Sequence, residues 1–230
     1  MSITAFVPAR SGSKRLPNKN VRKLAGKPLV LWTLEACMNS DQIDEVIFST
    51  DSKDYWELAK SHFNSSKLVL DDRSEEEAGD KVKIFDYLKS LTDKIFGDRS
   101  GQFLMALPTM PLRTSDHVNE AIKLSEELGK GVFSAIEYDF AISFAFTAEG
   151  EDEWKPLFDE SPMLTGNTRS QDQITAYHPN GAIYLRDIED LRSAELKTIY
   201  QGCAPFIMEK SLSVDIDTIE DFKLAGALLS

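Results

Sequence analysis

The chain has 230 residues, 42% of them hydrophobic and 28% charged, with a formal net charge of −12. That apolar fraction fills the core of one α/β domain and excludes a disordered chain, while the negative balance excludes non-specific binding of long nucleic acid. No apolar run has membrane-spanning length, the opening residues lack a signal-peptide charge pattern, and two cysteines, Cys37 and Cys203, point to a reducing cytoplasm rather than a disulfide scaffold.

Apolar runs alternate with helical periods along the chain. Ile3 to Val7 reads as a short buried strand, followed by a Gly/Pro/Lys loop through Lys27 and a helix opened by Pro28. Val46 to Ser49 is a second strand. Residues 52–62 place Tyr55, Leu58 and Ala59 on one helical face, and Leu68 to Leu70 is a third strand. Val82, Phe85, Leu88 and Leu91 predict a helix over 80–96. Residues 102–107 predict a strand, and Ser115 is expected to cap the helix carrying Val118, Ala121 and Ile122. This alternation argues for a parallel sheet with right-handed crossovers. From residue 131 the rhythm changes: 132–136 and 141–146 read as a close strand pair, and an acidic stretch runs to Pro162. Segment 137–176 therefore reads as an insertion, a lid or a dimer arm. Strand rhythm returns at 181–185 and again at 213–217, before a final helix with Ile219, Phe222, Leu224 and Leu228.

Charge is unevenly spread. Residues 1–34 carry seven basic side chains and no acid, so a positive patch sits on an otherwise acidic protein. Either it is a solvated surface or it holds a small anionic ligand. The second reading draws support from Pro8-Ala9-Arg10-Ser11-Gly12-Ser13-Lys14-Arg15-Leu16-Pro17-Asn18-Lys19-Asn20, which begins where the first strand ends. Ligands of open parallel sheets bind beyond carboxyl strand ends. Gly12 and its small neighbours let backbone N–H groups approach phosphate, and Arg10 and Lys19 supply cations. The string is neither a Walker A loop nor a dinucleotide fingerprint, which argues against a dinucleotide-dependent oxidoreductase.

A second constellation is Asp215-Ile216-Asp217. On an extended segment the two acids share one side, and two hard oxygen ligands suit Mg²⁺. Alternatively, Asp217 or Thr218 caps the last helix, with Glu220 or Asp221 closing a capping box.

The loop string resembles the nucleotide-binding motif of the acylneuraminate cytidylyltransferases, the CMP-sialic acid synthetases. Pro108-Thr109-Met110-Pro111-Leu112-Arg113-Thr114, Pro179-Asn180-Gly181-Ala182-Ile183-Tyr184 and Val214-Asp215-Ile216-Asp217-Thr218 resemble further motifs of that family, in order. The resemblance implies a Rossmann-like, mostly parallel sheet flanked by helices, of the nucleotide-diphospho-sugar transferase type. It implies one domain over 1–230, with 137–176 inserted for homodimerisation. It implies a cytidylyltransferase that moves CMP from CTP to an acidic nine-carbon sugar and releases pyrophosphate with Mg²⁺; a degenerate nucleotide-sugar binder is the alternative. Arg10, Ser11, Gly12, Ser13, Lys14, Lys19 and Asn20 would hold the nucleotide, with Lys19, Arg10 and Asp217 catalytic. Asp215 and Asp217 would hold the metal, and Asn180, Arg169 and Gln171 the sugar. Leu107, Met110 and His178 depart from residues common in the family. Leu107 replaces a glutamine amide, which predicts a sugar acid other than N-acetylneuraminate, such as a deoxygenated or diamino one. Arg73 is a candidate for a further family arginine.

Overall fold

The computed structural model describes residues 2–148 and 150–229. In chain order the first half comprises β1 (Ile3–Pro8), a two-residue ladder of β2 (Lys23–Leu24) with β3 (Lys27–Pro28), α1 (Leu29–Met38), β4 (Glu45–Thr50), α2 (Lys53–Phe63), β5 (Leu68–Asp72), α3 (Ile84–Ser90), α4 (Thr92–Phe96), β6 (Gln102–Met105) and α5 (Ser115–Leu128). There follow β7 (Val132–Glu137), β8 (Phe146–Ala148), β9 (Trp154–Pro156), α6 (Pro162–Thr165), β10 (Tyr177–Asp187), α7 (Ile188–Arg192), β11 (Ala204–Ile207) and α8 (Ile219–Leu228).

Seven strands form one sheet in the order β11-β7-β10-β6-β1-β4-β5. β10 alone runs antiparallel to its neighbours β6 and β7; the other pairings are parallel. Side chains on β1 alternate between two cores, as the period of a strand requires. Ala5 and Val7 pack with α1, α2 and α5 on one face, while Phe6 packs with α3, α4 and α7 on the other. Both faces are covered, which explains why the parallel strands read as continuous apolar runs.

Chain order reverses at β1. The path goes outward through β4 and β5, then returns to β6 on β1's other side. Such a switch point opens a crevice beyond the carboxyl ends of the two diverging strands. A third cluster closes one end of that crevice: Leu16, Leu24 and Leu29 pack with Ile216 and Ala225, joined by Val214 and Phe222. The loop after β1 is thereby glued to the segment before α8.

Several expectations need correction. Residues 141–146 are not a strand: Ile142–Phe144 form a 3₁₀ turn that brings the Phe140 and Phe144 rings to 5.1 Å. The hairpin within residues 137–176 is instead β8 against β9. Residues 213–217 belong to no sheet; the Ile216 N–H bonds the Thr109 carbonyl at 2.9 Å. The helix over 80–96 begins at Ile84 and breaks at Leu91, whose φ and ψ of −121° and 26° are not helical. Thr114, not Ser115, caps α5, and its hydroxyl accepts from the His117 N–H.

Candidate active site

The loop after β1 is shaped from several sides. The Ala9 N–H extends the β1–β4 pairing to the Ser49 carbonyl at 2.8 Å. Asn20 is buried, and its amide donates to the Arg10 carbonyl at 2.9 Å. Leu16 anchors the middle in the third apolar cluster. Asn18 takes a left-handed conformation, φ 56°, which asparagine tolerates better than most residues, and so turns the chain into the 3₁₀ segment Lys19–Val21.

This path delivers Lys19 to the far end of the sequence. Its Nζ donates to the Ile216 carbonyl at 2.7 Å and reaches Asp217 Oδ1 at 3.4 Å. The Arg15 Nη1 pairs with Asp217 Oδ2 at 2.8 Å. Ile216 is fully buried while the acids on either side of it remain accessible, so the acids oppose the core as expected, although without a ladder. The capping box also forms, but Thr218 and Asp221 make it: the Asp221 carboxylate accepts from the Thr218 N–H at 2.8 Å and the Asp217 N–H at 3.1 Å. Neither Asp215 nor Asp217 is consumed in capping. Desolvation pushes the Asp215 carboxyl above its ordinary value, and the Asp217 charge adds to this; a hydrogen bond from Thr109 and the Lys19 charge oppose it.

Between these elements lies a cleft of about 510 Å³. Arg10, Ser13, Lys14, Arg15, Lys19, Asn20 and Arg73 line it, together with Asp80 and Asp217. Five cations against two acids leave the lining net positive, a charge balance that suits a polyanion. Val82, Ile84 and Leu107 add an apolar wall. In this structure the acids hold the cations: Asp80 Oδ1 accepts from Arg10 Nη1 at 2.5 Å, and Asp80 also pairs with Lys14. These contacts lower the Asp80 pKa, the Lys14 bond most.

Not every expected residue reaches the cleft. Ser11 gives both its N–H and its hydroxyl to Asp51. Gly12 is exposed beside the cleft and not part of its wall. Asn180 turns inward: its amide nitrogen donates to Ser213 Oγ at 2.9 Å and its oxygen accepts the Ala182 N–H at 3.2 Å. Those bonds hold the irregular turn of β10 at Gly181, whose φ is 81° and where an added Cβ would stand 3.2 Å from Leu107. Arg169 and Gln171 are exposed, outside this cleft.

Arg73 does reach the cleft, on a buttress that local sequence does not reveal. Its guanidinium lies 4.5 Å from the Tyr87 ring centroid, Nη2 donates to the Glu77 carbonyl, and Nε has no partner among the described residues. Tyr87 donates to Asp71 at 2.8 Å, and Ser49 donates to the same oxygen at 2.6 Å. Desolvation first, then the Asp71 bond, drives the Tyr87 pKa far up, so the phenol stays protonated.

Comparisons with known proteins place the chain in a family. A family profile described as cytidylyltransferase matches residues 4–139. The chain is 36% identical over 228 residues, 97% of its length, to the N-acylneuraminate cytidylyltransferase of Escherichia coli O18:K1:H7, but spans about half (51%) of that relative. It is 30% identical to the pseudaminic acid cytidylyltransferase of Campylobacter jejuni serotype O:2, covering 99% of this chain and 96% of that one. It is 31% identical to the CMP-N,N'-diacetyllegionaminic acid synthase of Legionella pneumophila, covering 100% and 97%. Among solved structures, a CMP:2-keto-3-deoxy-manno-octonic acid synthetase complexed with CTP superposes with a TM-score of 0.69 at 17% identity, over 100% of this chain and 98% of that one. The 4-diphosphocytidyl-2C-methyl-D-erythritol synthase of Anaerococcus prevotii gives 0.66 at 17% identity, over 99% and 96%. Both share the nucleotidyltransferase fold of a mostly parallel sheet flanked by helices. With more than half its length in the profile and relatives 30% and 31% identical over nearly their full length, the chain belongs to the cytidylyltransferase family.

Proposed function

We propose that this protein transfers CMP from CTP to the anomeric hydroxyl of a nine-carbon, sialic-acid-like 2-keto sugar acid, releasing pyrophosphate. The observation that carries the reading is the meeting of Lys19 with Asp217 across one polyanion-sized cleft, beside Asp215. The acceptor oxygen forms a bond to the α-phosphorus. The bond from that phosphorus to the β-bridging oxygen breaks, and pyrophosphate departs with the electron pair. The acceptor's proton goes to solvent.

Both reactants are anions, so the site's work is positioning and charge compensation. Arg10, Lys14 and Arg73 hold the nucleotide, and Asn20 fixes the loop that presents the first two. Lys19 is assigned to the phosphate oxygen on which charge develops. Asp215 and Asp217 suit Mg²⁺: both are hard oxygen ligands, and Asp215, whose pKa is raised first by desolvation and then by the Asp217 charge, would gain from a cation held beside it. No cluster of three or more ligating side chains exists among the described residues. The remaining ligands would therefore come from phosphate and water, the usual arrangement for Mg²⁺. When bound, the ion supplies charge neutralisation at the phosphates. A nucleotide-sugar binder without turnover would not need Lys19 held against Asp217.

The reading extends to the assembly. The whole chain acts as one catalytic domain, and segment 137–176 joins two copies; Phe140 and Ile174, 69% and 78% exposed, support that role. No helix among the described residues is long and apolar enough to cross a membrane. Two free thiols suit the cytoplasm.

The test is pyrophosphate release from CTP and Mg²⁺ with a panel of nine-carbon sugar acids, and identification of the product by mass spectrometry. One CMP-sugar should dominate. Because Leu107 offers a methyl surface where an amide would bind hydroxyls, a deoxygenated acid should outrun N-acetylneuraminate. Release with no member of the panel would dismiss the reading, and N-acetylneuraminate as the clear best substrate would dismiss the choice of acid.

A further inference from the structure

Asp51 is the first residue beyond β4, and both its carboxylate oxygens serve one neighbour. Oδ1 accepts the Ser11 N–H at 2.7 Å and Oδ2 accepts the Ser11 hydroxyl at 2.6 Å. The same strand end holds two other parts of the site: the Ser49 carbonyl accepts from Ala9 at 2.8 Å, and the Thr50 carbonyl accepts from Arg73 at 3.0 Å. Three consecutive residues thus fasten the phosphate loop and the buried arginine to one edge. Arg10 is bracketed, with Ser11 tied to Asp51 on one side and its own carbonyl held by Asn20.

An acid behind a polyanion site is at first sight misplaced. It is tolerable because both oxygens are spent on hydrogen bonds and Asp51 does not line the cleft. Its effect is to fix where the open amides of the loop lie. The Ser11 N–H is consumed, while those that follow, from Gly12 to Leu16, make no hydrogen bond among the described residues. Consecutive open amides on a glycine-containing turn make an anion-binding concavity.

We infer that Asp51 is the positioning residue of the triphosphate site: by fixing Ser11 it aims Arg10 into the cleft and presents the amides of Ser13 and Lys14, which line it, to phosphate. This assignment rests on the cytidylyltransferase reading and deepens it. Asp51 acts through the loop and touches no reacting atom, so its removal should weaken phosphate recognition and spare the chemical step.

The experiment compares Asp51→Ala, Ser11→Ala and the double variant with the unsubstituted protein. It reads KM for CTP, kcat, and the inhibition constant of cytidine, which has the base and ribose but no phosphate. Loss of a charge-assisted pair should raise the CTP KM about tenfold in Asp51→Ala, with kcat within about threefold. Ser11→Ala keeps its N–H bond and should raise KM about threefold. The double variant should be no worse than Asp51→Ala, since the shared contact is lost only once. The cytidine constant should not move. Equal losses for cytidine and CTP, a fall in kcat at constant KM, or additive losses in the double variant would overturn the assignment while leaving the reaction intact. Absence of any CTP turnover by the unsubstituted protein would remove the reaction and the assignment together.

Discussion

Replacing Lys19 by methionine tests the core of the mechanism, because the structure separates its effects on activity and stability. The Lys19 side chain is 14% exposed and reaches both the Ile216 carbonyl and Asp217. Methionine keeps most of the volume and removes the ammonium. Asp217 is not left alone, since Arg15 still pairs with it at 2.8 Å. The stability loss should therefore be about 1 kcal/mol, the worth of one partly exposed hydrogen-bonded pair, or a melting shift of about 2–4 °C at this chain length. Activity should fall far more. A donor aimed at developing charge is worth about 10²–10³ in kcat, roughly 3–4 kcal/mol. The KM for CTP should rise only severalfold, because Arg10, Lys14 and Arg73 remain. Pyrophosphate release at saturating substrates gives kcat, and a thermal melt gives stability. Arg15→Met is the control: that side chain is 72% exposed and should cost no more than about threefold. A Lys19→Met protein with unchanged kcat and a raised KM would refute the transition-state role, and a loss no larger than that of Arg15→Met would refute its special position.

Asp217→Asn should lower activity about a hundredfold and raise the Mg²⁺ concentration for half-maximal rate; an unchanged Mg²⁺ requirement would argue against ligation. Asp80→Asn frees Arg10 and Lys14 and should tighten Mg²⁺-free CTP binding by about two- to fivefold in titration calorimetry, whereas weaker binding would make Asp80 a contact of the nucleotide. Thr218→Ala removes the cap of α8 and should cost about 1 kcal/mol in urea unfolding. The Thr218 hydroxyl is the first cause of the lowered Asp221 pKa, so this stabilisation is present above the unfolded value, about 4, and is lost as pH falls through the lower folded value. The variant should flatten that acid limb, and an unchanged limb would contradict the assignment. Phe140→Glu with Ile174→Glu should convert a dimer to monomer in gel filtration without lowering the melting temperature of the monomer fold; a dimer that persists would exclude this face.

Much of this was legible from local pattern. β1, β4 and β6 are apolar runs buried on both faces, and α5 carries its burial at helical spacing, so period and punctuation sufficed. Pattern failed where burial imitates a strand. Val214 to Asp217 alternates because Val214 and Ile216 pack on Leu16 and Leu24, not because a ladder forms. The phenylalanines of 140–146 alternate in sequence, yet a 3₁₀ turn pairs Phe140 with Phe144. β11 escaped notice because Ala204–Ile207 is four residues long with Pro205 inside, a composition tolerated only at a sheet edge, where it lies. In the site, the nucleotide loop and the acidic pair announced themselves by motif. Asp51 and Asp80 did not: they meet the loop across 40 and 70 residues of sequence, through contacts that only the folded sheet creates.

The bond between Lys19 and Asp217 joins positions 198 residues apart. During synthesis from the amino end, the cationic loop therefore emerges long before its acidic counterpart. Until the last apolar cluster docks Ile216 onto Leu16, a nascent chain holds the basic loop without the acids that face it in the folded protein. On the proposed assignment, a chain cut short of Ile216 and Asp217 keeps the basic loop but loses its acidic counterpart, and should not turn over CTP.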